Sequence, residues 1–146
     1  MATRFTLEII TPQRVAFSAE VSEVVVPTVN GLIGVLPRHI PLFTSLAEGE
    51  IKIKEEGKER YLAIGGGFME VSGNTVSILV SRAVHADEIN EAEIKKALQD
   101  AKEAVKNKGK SMELADAQAI LRRSILELKV AGRRKSRSAQ QLPPSV

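Results

Sequence analysis

The chain is 146 residues long, enough for one domain with a small appendage and too short for a large multidomain enzyme. Hydrophobic residues make up 43% and charged residues 27%, the balance of a chain that buries a core, and the lack of cysteine excludes a disulfide framework, a thiolate nucleophile and any Cys-held zinc or iron–sulfur site. The net charge of +3 is uneven: eight bases face nine acids in residues 1–85, thirteen face nine in 86–146, and from Lys129 onward Lys129, Arg133, Arg134, Lys135 and Arg137 meet no acid. Such an end suits nucleic acid, anionic lipid or an acidic protein surface, or is a solvated terminus. The opening MATRFTLEII has no apolar signal core, and no stretch approaches the roughly 18 apolar residues of a membrane span, so attachment to a membrane is expected only through partners.

In chain order, Phe5, Leu7 and Ile9 alternate with Thr6 and Glu8, the period of a strand with one buried face. Val24 to Val26, Ile51 and Ile53 between Lys52 and Lys54, Tyr61 to Ile64, Phe68 to Val71 and Val76 to Val80 read the same way. Turn signals at Thr11-Pro12, Asn30-Gly31, Glu56-Gly57 and Gly73-Asn74 separate them. Many short strands at this spacing predict an antiparallel sandwich or barrel. The composition changes near residue 86: all five aromatics and eight of the ten glycines precede it, and no proline lies between Pro41 and Pro143. The expected division is a β-sandwich over 1–86, a helical hairpin over 87–135 and a disordered tail over 136–146.

Asn90, three residues ahead of Glu93, fits a capping box at a helix start, followed by Ile94, Ala97, Leu98, Ala101 and Val105 on one stripe ending near Asn107. Gly109 supplies a loop and Ser111 a second N-cap. Leu114, Ala117, Leu121, Ile125 and Leu128 then form a second stripe. Two such helices make an antiparallel pair too thin to stand without support.

Little here carries chemistry. Gly109-Lys110-Ser111 ends like a phosphate-binding loop, but Ala104 stands where that loop needs its first glycine and a helix precedes it, so it reads as a helix connection. Gly65-Gly66-Gly67 lies between two strands with no helix behind it to hold an anion, and reads as a place where strands cross closely. His39 and His85 have no neighbouring ligand set or nucleophile. No catalytic residue, metal site or cofactor is expected. A small nucleic-acid-binding module with a basic helical arm is the alternative function, but the aromatics sit among apolar or acidic neighbours rather than among Lys and Arg.

The run NGLIGVLPRHIPLFTSLAEG from Asn30 to Gly49, with GGGFMEV from Gly65 to Val71 and SGNTVSILVSRAVHADEIN through Asn90, resembles the epsilon subunit of the F-type ATP synthase of bacteria and chloroplasts over roughly residues 4 to 134. The resemblance implies a ten-stranded β-sandwich that grips the gamma subunit and sits on the membrane rotor c-ring, with Asn30, Gly31, Arg38 and His39 in the facing loop. It implies a helix pair that folds against the sandwich or extends along gamma toward the alpha/beta hexamer, inhibiting ATP hydrolysis. On this reading Arg122, Arg123, Lys129, Arg133 and Arg134 meet acidic loops of the beta subunits. The expected location is the cytoplasmic face of the bacterial inner membrane, or the stromal face of the thylakoid. Family members that bind ATP carry an Ile/Leu-Asp-x-x-Arg-Ala motif on the first helix and arginines on the second. Here Asn90 and Glu93 replace the motif's Asp and Arg, Arg123 remains, and Glu127 replaces the second arginine, so weak or absent ATP binding is expected. Arg38 replaces a common glycine of the facing loop.

Overall fold

The computed structural model describes residues 3–106 and 114–140. The chain divides into two compact units, Met1–His85 and Ala86–Val146. The first holds ten strands: β1 (Phe5–Ile10), β2 (Val15–Val21), β3 (Glu23–Thr28), β4 (Gly31–Val35), β5 (Leu42–Leu46), β6 (Gly49–Glu55), β7 (Lys58–Ile64), β8 (Gly67–Ser72), β9 (Thr75–Val80) and β10 (Ala83–His85). They hydrogen-bond in the order β10-β7-β6-β3-β5-β8-β9-β1-β2, with β4 on the free side of β3. The β3–β5 link is one residue pair, Thr28 opposite Leu46, so the sheet turns a corner there into two five-stranded layers. All described pairings are antiparallel except β1 with β9, which is parallel.

Alternation builds the core. Phe5, Leu7 and Ile9 of β1, Val24 and Val26 of β3, Ile51 and Ile53 of β6 and Met69 and Val71 of β8 all point inward and are buried with Leu62, Ile64 and Ile78. The turns follow the signals in the sequence. Glu56-Gly57 closes the β6–β7 hairpin with φ of 38° and 77°, the left-handed pair that a two-residue turn requires. Thr11 donates its hydroxyl to the Arg14 carbonyl at 3.0 Å and accepts from the Arg14 amide at 3.1 Å, closing the β1–β2 turn. A bulge follows: Ile9 pairs with Phe17 and Ile10 with Val15, leaving Ala16 over. The Ala16 carbonyl accepts from His85 Nε2 at 2.6 Å, which ties β10 to β2, the two ends of the sheet order.

The layer β4-β3-β6-β7-β10 has a charged, self-neutralising exterior. Lys52 pairs with Glu59 at 3.2 Å, Lys54 with Glu23 at 3.7 Å and Arg60 with Glu55 at 3.0 Å. The hydrogen bond from Tyr61 first, then that from Lys52, holds the Glu59 carboxyl below its usual range.

In the second unit a single 3-10 turn, Ala86–Glu88, precedes helices α1 (Glu91–Lys106) and α2 (Leu114–Gln140), which pack on each other. Asn90 Oδ1 caps α1, accepting from the Ala92 and Glu93 amides at 3.1 and 3.4 Å. The reciprocal bond of a capping box does not form among the described residues; Glu93 remains exposed in water. The second stripe also differs from its expected position. Ala117, Ser124, Glu127, Val130 and Ala131 are buried while Ile125 is 58% exposed. Polar Ser124 and Glu127 lie on the buried face, which hides its true direction from a hydropathy pattern. Helix α2 also runs through Ser136 to Gln140, where a tail was expected. Loss of amphipathic period does not stop a helix; a breaker does, and the next one is Pro143. The expected loop at Gly109, the Ser111 cap and the tail beyond Gln140 lie outside the described residues.

Candidate functional site

Two surfaces of the sandwich and one of the helical unit stand out. The first is the loop region 29–41. Val29 and Asn30 form the β3–β4 turn, held by Thr28, whose hydroxyl donates to the Gly31 carbonyl at 2.6 Å and accepts from the Asn30 amide at 3.2 Å. Between β4 and β5, the His39 amide donates to the Leu36 carbonyl at 3.2 Å. His39 Nδ1 lies 2.7 Å from the Ile40 carbonyl, which can only accept, so Nδ1 carries the proton. Arg38 adopts φ of 66°, a left-handed backbone unfavourable to any residue with a Cβ and the conformation a glycine would take at ease. The four sequence-assigned residues lie in two turns at the opposite ends of β4, Asn30 and Gly31 where it starts and Arg38 and His39 beyond its end. Around them Val29, Leu32, Leu36 and Ile40 are 57–75% exposed. Large apolar side chains held in water at turns, where polar residues are the rule, mark a docking surface. That substitution of apolar for polar is a signal present in the sequence itself.

The second surface is the exterior of β5-β8-β9-β1-β2. Register aligns Ser45, Phe68, Leu79, Ile10 and Val15 side by side across the five strands. Phe68, Leu79 and Val15 are more than half exposed, and Phe43, 69% exposed, stacks on Phe68 with ring centroids 5.7 Å apart. Phe68, Leu79 and Ile10 of this row, with Gly66, Gly67 and Pro12, line an open cavity of about 430 Å³. A Cβ on Gly67 would collide with the Leu79 carbonyl and stand 2.7 Å from Val80 Cα, so the glycine run serves close strand approach, as its sequence setting suggested.

The third surface is α2. Arg122 and Lys129 are exposed, as is Arg133. Arg123 donates through Nε to Glu127 at 3.1 Å, and the Glu127 side chain is only 5% exposed. Arg134 reaches across to Glu91 of α1 at 3.7 Å, where Lys95 also approaches to 3.9 Å. Of the positions that the resemblance connects with nucleotide, Asn90 caps α1, Glu93 is exposed, and Arg123 is paired with Glu127.

Among the described residues no group of three or more His, Cys, Asp or Glu side chains is placed to hold a metal. No described helix is long and apolar enough to cross a membrane. What the fold presents is a β-sandwich with exposed apolar surfaces, joined to a charged helix pair. Family profiles give it a place. Residues 4–86 match the ATP synthase Delta/Epsilon chain beta-sandwich domain and residues 87–132 the long alpha-helix domain of the same chain. The chain belongs to the ATP synthase delta/epsilon family. It is 44% identical over 131 residues to the ATP synthase epsilon chain of Herpetosiphon aurantiacus, covering 90% of this chain and 96% of that one. Identity to the epsilon chain of Desulforamulus reducens is 37%, over 90% of this chain and 99% of that one. A chain in the Euglena gracilis mitochondrial ATP synthase shares the fold with a TM-score of 0.64 at 23% identity, over 93% of this chain and 82% of its own.

Proposed function

We propose that the chain is the non-catalytic rotor subunit of an ATP synthase, coupling rotation driven by ion flow to ATP synthesis and restraining ATP hydrolysis through its helices. The observation that carries this reading is the match of both units, in order, to the two domains of one family, with relatives aligned over nearly their whole length. The sandwich grips the gamma subunit. The region holding Asn30, Gly31, Arg38 and His39, with its exposed Leu32 and Ile40, faces the c-ring. Arg122, Arg123, Lys129, Arg133 and Arg134 provide the cations for acidic loops of the beta subunits when α2 leaves its folded arrangement. Membrane association is peripheral and runs through these partners, on the cytoplasmic face of a bacterial inner membrane. The test is co-purification: a tagged chain expressed with its own synthase should bring down gamma under gentle conditions, and a preparation free of gamma would sink the assignment.

A further inference from the structure

Strand β4 leaves an open edge on the sandwich, and the register shows which backbone groups it exposes. The Pro27 carbonyl accepts from the Ala47 amide, on the side of β3 away from β4. In an antiparallel pair the nitrogen and carbonyl of one residue point the same way, so Pro27 and Leu32 form a non-hydrogen-bonded pair, and the amide and carbonyl of Leu32 point away from β3. Those of Gly34, two residues on, point the same way. No described residue bonds to these groups. Edges are commonly blunted by lysine, proline or a bulge; β4, Gly31-Leu32-Ile33-Gly34-Val35, has none of these, and Leu32 is 73% exposed. Gly34 adds a second observation. Its φ lies outside the left-handed region, and a Cβ there would meet only Glu23 Oε1, at 3.9 Å. The fold of one chain does not require the missing side chain, and a glycine inside a strand weakens it; such a glycine marks close approach by another backbone.

We propose that β4 is a dimerisation edge, on which a second copy of this chain adds its own β4 in antiparallel register about a two-fold axis at Ile33. Leu32 then lies opposite Gly34 of the second copy, and Gly34 opposite Leu32 of the second copy. The open amides and carbonyls close on one another, and each Leu32 side chain covers the bare backbone of a Gly34. Charge and chemistry select this occupant. No residue from 24 to 37 carries a charge, so two copies meet without repulsion, while a polyanion finds no cation on the strand. A partner held through side chains alone would leave the open backbone groups of Leu32 and Gly34 unpaired within the contact, whereas an added strand satisfies them. Under the rotor reading above, the same region faces the c-ring, so dimer and assembled subunit exclude one another and pairing belongs to chain not yet assembled.

Sedimentation of the isolated full chain from micromolar to millimolar concentration tests this. A short edge supports a weak dimer, with a Kd of roughly 10–100 µM. Leu32→Lys should weaken it about tenfold, since a lysine on an edge strand opposes pairing. Gly34→Val should weaken it by about as much, because it fills the space that Leu32 of the second copy needs, yet it should leave the melting temperature unchanged or higher, because valine suits a strand. Those opposite movements separate loss of the edge from misfolding. The chain has no cysteine, so Ile33→Cys introduces a single thiol. In the proposed register Ile33 faces its own copy across a non-hydrogen-bonded pair, with Cα atoms about 4.5 Å apart and within disulfide reach. Oxidised glutathione should therefore link Ile33→Cys into a covalent dimer and should leave Lys58→Cys, exposed at the start of β7, unlinked. A chain that stays monomeric throughout the concentration range would overturn the proposal. So would a dimer that survives both Leu32→Lys and Gly34→Val, or one that does not link through Ile33→Cys. Co-purification with gamma tests the rotor reading separately, so the two readings fail by different results.

Discussion

Arg38 shows how a single residue records a compromise. A side chain in the left-handed region costs about 1–2 kcal/mol relative to the right-handed one, and Arg38 bears this cost at φ 66° on an exposed loop. Arg38→Gly should therefore stabilise the sandwich by about 1 kcal/mol, less the greater unfolded-state freedom of glycine, measured by chemical denaturation. A loss of stability would mean that the arginine side chain contributes more than its backbone costs. Glu59 acts through pH. Its folded carboxyl titrates below the usual 4.5 because Tyr61 and Lys52 favour the charged form. The group releases its proton more readily in the folded state, so its contribution is complete above 4.5 and is lost as pH falls through the lowered folded value. In Glu59→Gln stability near neutrality should fall by that contribution and the acid limb should be shallower below about pH 4.5, so that the two curves converge in acid.

At the scale of elements, the strands legible in the sequence were those with strong alternation or a short apolar run bounded by turn signals: β1, β3, β6, β7, β8 and β9. Strands β2, β4, β5 and β10 were not legible from pattern. Strand β2 contains a bulge that breaks its period at Ala16, β4 holds two glycines, and β10 is three residues long and secured by pairing with β7. The apolar row failed to appear for a different reason. Its members come from separate strands, and register between strands is a property of the fold rather than of any local segment. In the helices, Ile125 looked inward because Glu127 and Ser124 looked outward, and the Arg123–Glu127 pair is what lets a carboxylate lie on the buried side. The same pair bears on ligand binding: calorimetry of the isolated chain with ATP should give no measurable heat at micromolar concentrations, because Glu93 and Glu127 oppose phosphate and Arg123 is occupied. Micromolar affinity would show that other cations assemble the site. The two units should also separate. A fragment of residues 1–85 contains the whole sandwich core and should fold and still bind gamma. An unfolded fragment beside a stable full chain would show that the helices complete the core.

For the whole molecule, the structure gives the five cations of α2 two different roles. Arg122 and Lys129 are exposed, whereas Arg123 and Arg134 are engaged within the folded helix pair, with Glu127 and Glu91. Arg123–Glu127 lies within α2 and persists in either arrangement, so only the Arg134–Glu91 pair joins the two helices. An exposed ion pair contributes about 0.2–1 kcal/mol, a bias toward the folded hairpin of at most about fivefold. Replacing all five cations with alanine, or deleting from Ser111 onward, should raise ATP hydrolysis by assembled synthase without changing subunit content, since the cations for the beta loops are gone. Added salt should weaken inhibition by the unaltered chain through screening. Replacing only Glu91 with Gln should act in the opposite direction: it releases Arg134, loosens the folded pair and deepens inhibition. Hydrolysis assays on complexes matched for subunit content distinguish these signs. If the acid-to-neutral variant raised hydrolysis as the five-alanine variant does, the Arg134–Glu91 pair would not hold the hairpin. If neither the five-alanine change nor the truncation altered hydrolysis, the helices would have no part in inhibition and the chain would couple rotation through its sandwich alone.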